Sequence, residues 1–362
     1  MSTIILAGGG TGGHVYPAIS IGDVLRERGH TVLYYGDPDR IEARVAPTAG
    51  YEFRPVRALQ YPRGGVVGKI KFGLGLLRSI FATRSQLKAD GADLVLGVGG
   101  YISAPPVLAA WTLRRRRIIH EANAVPGMAN KLCARVANTV LMTYEKSRNR
   151  FPGSAPRHLV GVPVNPKILS GDREEAAAKY GLRTDVPTVL FVGGSLGAAR
   201  LNELAIGAAK LDSREFQVLH LCGKRYYEEV LAELGEPPMG VKLVDYEDRM
   251  ADAYALADLV VCRCGSSTLG ELCAVGKPGL LIPSPNVTEN HQEENARGLE
   301  DAGAAQVLVE AGWDIDVALG KVRRLIYDPD LLAEMAANSK RQARLDAASL
   351  AADQVEELLG RG

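Results

Sequence analysis

The sequence is poor in cysteine and has no excess of either charge, and each absence excludes a class of protein. Its 362 residues include five cysteines, none in a C-x-x-C pair, so a disulfide framework and a paired-cysteine zinc site are both excluded. We interpret the five as reduced thiols of a cytosolic protein. The formal net charge is +1, so the overall charge balance does not indicate a nucleic-acid partner.

Long apolar runs are absent as well. No segment approaches the roughly 18 uninterrupted apolar residues that a membrane-spanning helix needs. The opening residues, MSTIILAGGG, enter a predicted strand without the basic segment and long apolar core of a signal peptide, so none is expected. We therefore expect a cytoplasmic protein, which could still lie on a membrane surface.

Short apolar runs alternate with helical patterns along the whole chain. The predicted strands form two series, 3–7, 31–35, 94–98, 117–120, 139–142 and 158–160, then 188–192, 217–221, 242–244, 258–262 and 279–282. This alternation predicts an α/β protein with two doubly wound parallel sheets. Because ligands bind beyond the carboxyl ends of such strands, we expect the two sheets to face a common cleft.

A stretch rich in proline and glycine, VGVPVNPKILSGD, separates the two series and is interpreted as a linker. We accordingly expect an N-terminal domain over 1–160 and a C-terminal domain over 161–340. The remaining residues, 341–362, are predicted to form a helix that packs back on the first domain.

The first glycine-rich loop lies in ILAGGGTGGHVYPAI, residues 5–19. Its Gly8-x-Gly10-x-x-Gly13 spacing matches a dinucleotide-binding loop, and Asp37 follows the next strand, so an NAD-dependent oxidoreductase is one interpretation. His14 favours another interpretation. It occupies the first turn of the following helix, where the helix dipole favours a neutral, proton-accepting imidazole.

Two motifs of the second series suit a nucleotide. VGGSLGA places Ser195 among glycines at the start of a helix, which favours a phosphate site over a plain strand–helix turn. CRCGSSTLGE places Ser266, Ser267 and Thr268 at another helix start, with Glu271 able to accept both hydroxyls of a ribose. The alternative for this second motif is a set of helix caps with a dipole partner.

Amide-bearing side chains mark two further segments. His291 and Gln292 open a predicted helix in TENHQEENA, where they suit sugar hydroxyls or form a solvated helix start. In HEAN, Asn123 follows a strand and is expected at the ligand-binding edge of the sheet, whereas His120 is interpreted as a half-buried structural residue.

The segment 53–89 contains eight Arg or Lys residues and no Asp or Glu. Four of its apolar residues share one helical stripe: Ile70, Leu74, Leu77 and Phe81. Nearby in the sequence, Trp111 precedes four consecutive arginines. This pattern favours an anionic membrane surface over a helix packed on the core. Nucleic acid is not favoured, because aromatic residues are not interleaved with the basic ones.

Six motifs in order, GGGTGGHVYPA, GVGGYISAP, HEAN, GGSLGA, CRCGSSTLGE and NHQEENA, make the chain resemble the peptidoglycan N-acetylglucosaminyltransferases of glycosyltransferase family 28. The resemblance covers essentially the full length. It implies the GT-B fold of two Rossmann-like domains and an inverting transfer of N-acetylglucosamine from UDP-N-acetylglucosamine. The acceptor would be the C4 hydroxyl of undecaprenyl-diphospho-N-acetylmuramyl-pentapeptide, at the cytoplasmic face of the plasma membrane, in a step that serves cell-wall growth, cell shape and division.

The resemblance also implies residue roles, with His14 as the catalytic base and no cofactor or metal. The substrate-binding positions would be Thr11, Gly12, Gly13, Asn123, Asn165, Ser195, Tyr246, Glu247, Ser266, Ser267, Thr268, Glu271, His291 and Gln292. Ser195 would hold the diphosphate, Glu271 the ribose hydroxyls, and the backbone near Tyr246 the uracil edge. Asn165 stands where some members carry an arginine that reaches the diphosphate, so loop amides would carry more of that task here.

Other interpretations remain open at this point. They are another GT-B glycolipid glycosyltransferase, a UDP-N-acetylglucosamine epimerase, a catalytically idle UDP-sugar sensor and, more remotely, the NAD-dependent oxidoreductase. The Asp-x-Asp strings at 37–39 and 314–316 lie outside the expected donor site, so they are not interpreted as metal ligands.

Overall fold

The computed structural model describes residues 1–59, 62, 64–194, 197–287 and 290–360. The chain divides into two compact units, one formed by Met1–Asn165 with Arg344–Gly362 and the other by Pro166–Ala343. No helix within the described ranges is both long and apolar enough to cross a membrane.

The first unit is built on a seven-stranded parallel sheet in the order β3-β2-β1-β4-β5-β6-β7. Its strands are β1 (Thr3–Ala7), β2 (Thr31–Gly36), β3 (Glu52–Pro55), β4 (Leu94–Gly97), β5 (Arg116–Glu121), β6 (Thr139–Met142) and β7 (Arg157–Leu159). Its helices are α1 (Gly12–Glu27), α2 (Glu42–Thr48), α3 (Val66–Ala89), α4 (Ala104–Thr112), α5 (Met128–Ala134) and, from the end of the chain, α14 (Ala347–Leu359). The strand order reverses between β1 and β4, which is where ligands bind in doubly wound sheets.

The second unit repeats this plan with a six-stranded parallel sheet in the order β10-β9-β8-β11-β12-β13. Its strands are β8 (Thr188–Val192), β9 (Gln217–Leu221), β10 (Val241–Val244), β11 (Leu259–Cys262), β12 (Gly279–Leu281) and β13 (Ala305–Val307). Its helices are α6 (Arg173–Tyr180), α7 (Ala199–Ala209), α8 (Tyr227–Leu234), α9 (Met250–Leu256), α10 (Ser266–Val275), α11 (His291–Asp301), α12 (Ile315–Ile326) and α13 (Pro329–Arg341). The order reverses here between β8 and β11.

Strand β1 shows why both faces of the first sheet must be covered. Ile4 and Leu6 pack into the apolar cluster on one face, whereas Ile5 and Ala7 pack into the cluster on the other. Alternate residues point to opposite faces of a strand, so a continuous apolar run is stable only when helices cover both sides. The doubly wound fold inferred from the apolar runs is therefore confirmed.

The structure adds two strands that the sequence did not predict. Both are short edge strands, β3 with the sequence EFRP and β13 with AQV, and neither forms the apolar run expected of a buried strand. The expected helical tail also differs. Within residues 341–362 the helix is shorter than predicted, since α14 covers Ala347–Leu359 in the first unit and residues 342–346 separate it from α13 of the second unit.

Helix α14 completes the first unit by packing on α1. Its buried face includes Ala351 and Val355. Arg28 lies just after α1 and donates hydrogen bonds to Asp353 at 2.6 Å and to Glu356 at 2.8 Å. The apolar contact fixes the helix, while the ion pairs define its register along α1.

Helix α3 presents its apolar stripe to solvent. The exposed fractions are 57% for Ile70, 65% for Leu74, 53% for Leu77 and 66% for Phe81. The helix packs against α4 through other residues, since Ile80 and Leu87 lie in the apolar cluster that contains Val107 of α4. The alternative in which this stripe packs on the core is therefore wrong.

Candidate active site

The first glycine loop leaves β1 and starts α1, with Thr11 as the N-cap residue in an extended conformation. His14 lies in the first turn, and its Nδ1 is 3.2 Å from the Thr11 hydroxyl. A Cβ atom at Gly99 would lie 3.0 Å from Nε2 of His14, so the glycine after β4 makes room for the imidazole. The ring therefore sits at the carboxyl ends of β1 and β4, where the strand order reverses.

Behind this loop lies the buried carboxylate of Glu42. Its two oxygens accept the backbone N–H groups of Gly10, at 3.0 Å, and of Asp37, at 3.1 Å. A Cβ atom at Gly9 would lie only 2.0 Å from Glu42 Oε1. An internal anion thus uses a loop amide that a dinucleotide pyrophosphate would need, and its charge would repel one.

The carboxylate of Asp37 also accepts hydrogen bonds from other residues of the protein. It accepts a 2.6 Å hydrogen bond from the hydroxyl of Tyr101 and another from the backbone of Asp39. In a dinucleotide site this acid would have to accept ribose hydroxyls instead. Both acids near the loop therefore argue against an NAD site.

The HEAN loop after β5 is organised by Glu121. Its buried carboxylate accepts hydrogen bonds from the backbone and the side-chain amide of Asn123, at 2.9 and 3.2 Å, and from Gly127 and Asn130. Burial raises the pKa of Glu121, although these four hydrogen bonds lower it. The Asn123 amide is thus held in place by a neighbour that sequence reasoning did not recognise as an organiser.

His120 lies in β5 and contacts the loop after β7 that leads to Asn165. His120 is fully buried and its Nε2 lies 2.9 Å from the carbonyl oxygen of Gly161, while burial lowers its pKa to about 4. A neutral, hydrogen-bonded imidazole of this kind is structural. Asn165 is exposed and is the last residue of the unit before the chain enters the second one.

The second glycine loop connects β8 to α7. Ser195, the predicted diphosphate ligand, lies outside the described residues. Gly194 and Gly197 adopt φ angles of +85° and +74°, and the N–H of Gly197 donates to the carbonyl of Gly194 at 3.0 Å. A Cβ atom at Gly197 would lie 2.3 Å from the Cys222 carbonyl oxygen, so only glycine fits where this loop meets the turn after β9.

Helix α10 brings the hydroxyl residues and Glu271 to the carboxyl end of β11. Ser266, Ser267 and Thr268 form its first turn, where backbone N–H groups point out of the helix. Glu271 lies one turn further, and its Oε2 accepts a 3.1 Å hydrogen bond from the Tyr254 hydroxyl. Burial raises the pKa of Glu271 to about 7, although the Tyr254 hydrogen bond lowers it.

The segment after β10 holds Tyr246 and Glu247. The Nζ atom of Lys224 lies over the Tyr246 ring, 5.0 Å from its centroid. The Glu247 carboxylate accepts hydrogen bonds from Lys179 at 3.0 Å and from the Tyr180 hydroxyl at 2.6 Å. Burial raises the pKa of this carboxyl, but these bonds outweigh burial and hold the pKa below its usual range. Its side chain is therefore occupied, so only the backbone of Glu247 suits the predicted contact with uracil.

Helix α11 begins at His291, after Asn290 in a left-handed conformation with φ of +50°. The Oε1 atom of Gln292 accepts backbone N–H groups from Cys264, at 3.2 Å, and from Ser284, at 2.9 Å. This side chain thereby joins the loops after β11 and β12 at the edge where the nucleotide motifs lie.

The described residues contain no group of three His, Cys, Asp or Glu side chains able to hold a metal ion. Asp314, in the second Asp-x-Asp string, is the N-cap of α12 and accepts the backbone N–H of Asp316 at 2.7 Å. Within each unit, the predicted residues that the structure describes lie in loops and helix starts after strands.

Sequence reasoning missed Glu42 as a loop support and Tyr254 as the partner of Glu271. Glu42 had no signal in the sequence, although the structure shows its side chain packed where Gly9 and Gly36 lack one. Tyr254 had none, since a tyrosine in an apolar helix is typical of any core.

The geometry of each unit, a doubly wound parallel sheet with glycine-rich and polar loops at its switch point, defines the class of GT-B glycosyltransferases. A solved structure supports this class. The crystal structure of MurG from Acinetobacter baumannii matches with a TM-score of 0.78 and 29% sequence identity, over 99% of this chain and 100% of that one.

The family follows from the sequence matches. The glycosyltransferase family 28 N-terminal domain matches residues 4–142, and the glycosyltransferase family 28 C-terminal domain matches residues 188–351. The chain belongs to glycosyltransferase family 28. The family membership expected from the six motifs is therefore confirmed.

Two curated relatives are similar over nearly the whole chain. Both are named UDP-N-acetylglucosamine--N-acetylmuramyl-(pentapeptide) pyrophosphoryl-undecaprenol N-acetylglucosamine transferase. The one from Halothermothrix orenii is 36% identical over 94% of this chain and 95% of its own length. The one from Geobacter metallireducens is 39% identical over 97% of each.

Proposed function

We propose that this chain transfers N-acetylglucosamine from UDP-N-acetylglucosamine to the C4 hydroxyl of undecaprenyl-diphospho-N-acetylmuramyl-pentapeptide, which yields the disaccharide lipid precursor of peptidoglycan. The observation that carries the proposal is the similarity to transferases of this name through both units, with 36% identity over 351 residues. The acceptor would use the first unit and the nucleotide sugar the second.

The base of the reaction would be His14. In the tautomer that carries its proton on Nδ1, the imidazole donates to the Thr11 hydroxyl 3.2 Å away, and Nε2 holds the lone pair. Nε2 would accept the proton of the C4 hydroxyl as that oxygen attacks the anomeric carbon from the face opposite UDP. Proton transfer to a positioned base of this kind contributes roughly 10²–10⁴-fold to the rate.

The leaving group is a diphosphate, on which negative charge grows as the glycosidic bond breaks. Two helix N-termini, those of α7 and α10, follow β8 and β11 at the switch point of the second sheet. Their N–H groups and the hydroxyls of Ser266, Ser267 and Thr268 would stabilise this charge. His291 and Gln292 would contact the sugar, and Asn123 would assist from the first unit.

The lipid acceptor implies a membrane surface, and we propose that α3 supplies the contact on the cytoplasmic side. More than half of the surface of Ile70, Leu74, Leu77 and Phe81 is exposed. Lys69, Lys71 and Arg78 stand in the same helix, where cationic side chains attract anionic lipid at about 1 kcal/mol each. Exposed apolar area of this extent has no partner among the described residues, and insertion into the headgroup region would bury it.

A transfer assay with radiolabelled UDP-N-acetylglucosamine and a short-chain muramyl lipid acceptor tests the proposal. We expect label in a lipid-extractable product with an inverted anomeric configuration, and UDP release that depends on the acceptor. Release or epimerisation without the acceptor would instead support a UDP-N-acetylglucosamine epimerase, and transfer to a different glycolipid would assign another member of the GT-B class. If the protein binds UDP but shows no turnover, the result would support a catalytically idle UDP-sugar sensor.

A further inference from the structure

Tyr254, which is buried, and Glu271, which is partly buried, form a hydrogen-bonded pair between helices α9 and α10. The Tyr254 hydroxyl donates a 3.1 Å hydrogen bond to Oε2 of Glu271, and the tyrosine itself is only 1% exposed. Its ring lies in the apolar cluster that also contains Cys262 and Leu272. The tyrosine is therefore fixed by packing, and it can direct the carboxyl group without reaching the surface.

The titratable groups that face Glu271 do not compete with it for protons near neutral pH. Burial raises the pKa of the Tyr254 hydroxyl well above its ordinary value, and it raises the pKa of the Cys262 thiol to about 12. Both therefore keep their protons, so Tyr254 remains a hydrogen-bond donor while Glu271 changes charge.

We propose that Tyr254 is a positioning residue for the nucleotide ribose, because its hydroxyl holds the Glu271 carboxylate in the orientation that accepts the ribose hydroxyls. The inference rests on the proposed function, in which Glu271 binds the ribose of the donor. A free glutamate on a helix samples several rotamers, and fixing one of them costs entropy on binding. The tyrosine removes that cost before the nucleotide arrives, and its hydrogen bond also favours the ionised form that a ribose needs.

A merely structural role predicts something different. Any buried tyrosine needs an acceptor for its hydroxyl, and loss of that bond would weaken the fold without distinguishing one nucleotide from another. The positioning role instead predicts an effect that appears only when the nucleotide carries ribose hydroxyls.

The test uses the full-length Tyr254→Phe variant, which removes one oxygen and keeps the ring. The ring must stay, because it packs in the apolar cluster with Cys262 and Leu272, and a smaller residue would leave a void there. The matched control is Tyr51→Phe in the first unit, where another buried tyrosine donates to a carboxylate, that of Asp23, at 2.6 Å.

Calorimetry would measure binding of UDP and of 2′,3′-dideoxy-UDP at pH 8. For the wild-type protein we expect tighter binding of UDP. In Tyr254→Phe we expect roughly tenfold weaker binding of UDP, as for loss of one hydrogen bond to a charged group, and unchanged binding of the dideoxy nucleotide. The Tyr51→Phe variant should bind both as the wild type does.

Steady-state kinetics gives a second readout. The KM for UDP-N-acetylglucosamine should rise about tenfold in Tyr254→Phe with kcat little changed, because the ribose contact is made equally in the ground state and the transition state. The acid limb of kcat/KM should move to higher pH, since a donor to the carboxylate is lost. An equal loss for both nucleotides, or no loss for either, overturns the inference. Failure of the wild-type protein to bind UDP overturns the proposed function instead.

Discussion

The carboxylate of Glu42 accepts a 3.0 Å hydrogen bond from the backbone N–H of Gly10, 32 residues away in the sequence. This contact holds the glycine loop against the start of α2 and places a negative charge directly behind it. The loop therefore owes its shape to an internal anion, and it presents the Thr11 and His14 side chains where a dinucleotide loop would present amides to phosphate.

We expect Glu42→Gln to loosen this loop. A carboxylate accepts at both oxygens, whereas an amide can accept at only one, so one of the two backbone N–H groups that Glu42 binds would face an NH2 group. The free energy of unfolding should fall by about 1–3 kcal/mol, as measured by urea denaturation. Turnover should fall more than UDP affinity. The exposed Glu52→Gln serves as the control, and equal stability of the two variants would contradict the role of Glu42.

Replacing His14 by alanine should reduce kcat by roughly 10²–10⁴-fold, because the attacking hydroxyl would lose its proton acceptor. UDP binding, measured by calorimetry, should remain within about twofold of wild type, since the groups proposed to bind UDP belong to the second unit. His158→Ala on the edge strand β7 is a matched control with an expected normal rate. A nearly wild-type rate for His14→Ala would remove this residue from the mechanism.

Binding of UDP-N-acetylglucosamine should strengthen as the pH rises through about 7. The pKa of Glu271 lies near 7 without nucleotide, so below that pH the carboxyl group is largely protonated and accepts ribose hydroxyls poorly. Binding favours the ionised form and should release a proton, which calorimetry in buffers of different ionisation enthalpy would detect. Glu271→Gln should bind more weakly with a flat profile. An affinity for UDP-N-acetylglucosamine that falls as the pH rises would contradict this role of Glu271.

Arg114 should destabilise the first unit slightly. It follows α4 in a left-handed conformation with φ of +55°, a position where glycine is normally found, and its N–H donates to the Trp111 carbonyl. Arg114→Gly should stabilise the unit by about 1 kcal/mol, and a gain of that size raises Tm by about 2–4 °C. Arg115→Gly, outside the left-handed region, should give no gain. Thermal unfolding of both variants would show whether the backbone is the cause.

The exposed stripe of α3 should control membrane association. In Leu74→Glu/Phe81→Glu, binding to vesicles with anionic phospholipid should weaken at least about tenfold, since each buried apolar side chain contributes about 1.5–3 kcal/mol. Sedimentation with vesicles measures this effect, and UDP affinity should not change. Met239→Glu removes an apolar residue that is 97% exposed in the second unit and should leave vesicle binding intact. Equal losses in both variants would argue against a specific membrane face.

The sequence predicted the parts of the fold that depend on local pattern. The strands at 3–7, 139–142, 188–192 and 217–221 have the predicted bounds, because each has an apolar segment with both faces buried, interrupted only by His220 in the last one. The edge strands β3 and β13 have no such segment. They form because their backbone pairs with the neighbouring strand, which the local sequence pattern does not show.

The position of the loops that form the candidate site was predictable to the same degree. Glycine, serine and amide motifs mark the loops at the carboxyl ends of strands, since close backbone approach and hydrogen bonding require those residue types. The supporting partners Glu42, Glu121 and Tyr254 act on those loops through tertiary contacts. No periodicity or spacing in one sequence encodes a contact between residues that only the folded chain brings together.

The two crossings of the chain, after Asn165 and after Ala343, have a consequence for biosynthesis. Helix α14 leaves the ribosome after every residue of the second unit, yet it belongs to the first. The second unit can fold as an uninterrupted stretch, whereas the first unit keeps the flank of α1 uncovered until α14 has been synthesised. Loss of α14 would therefore damage the unit that was synthesised first.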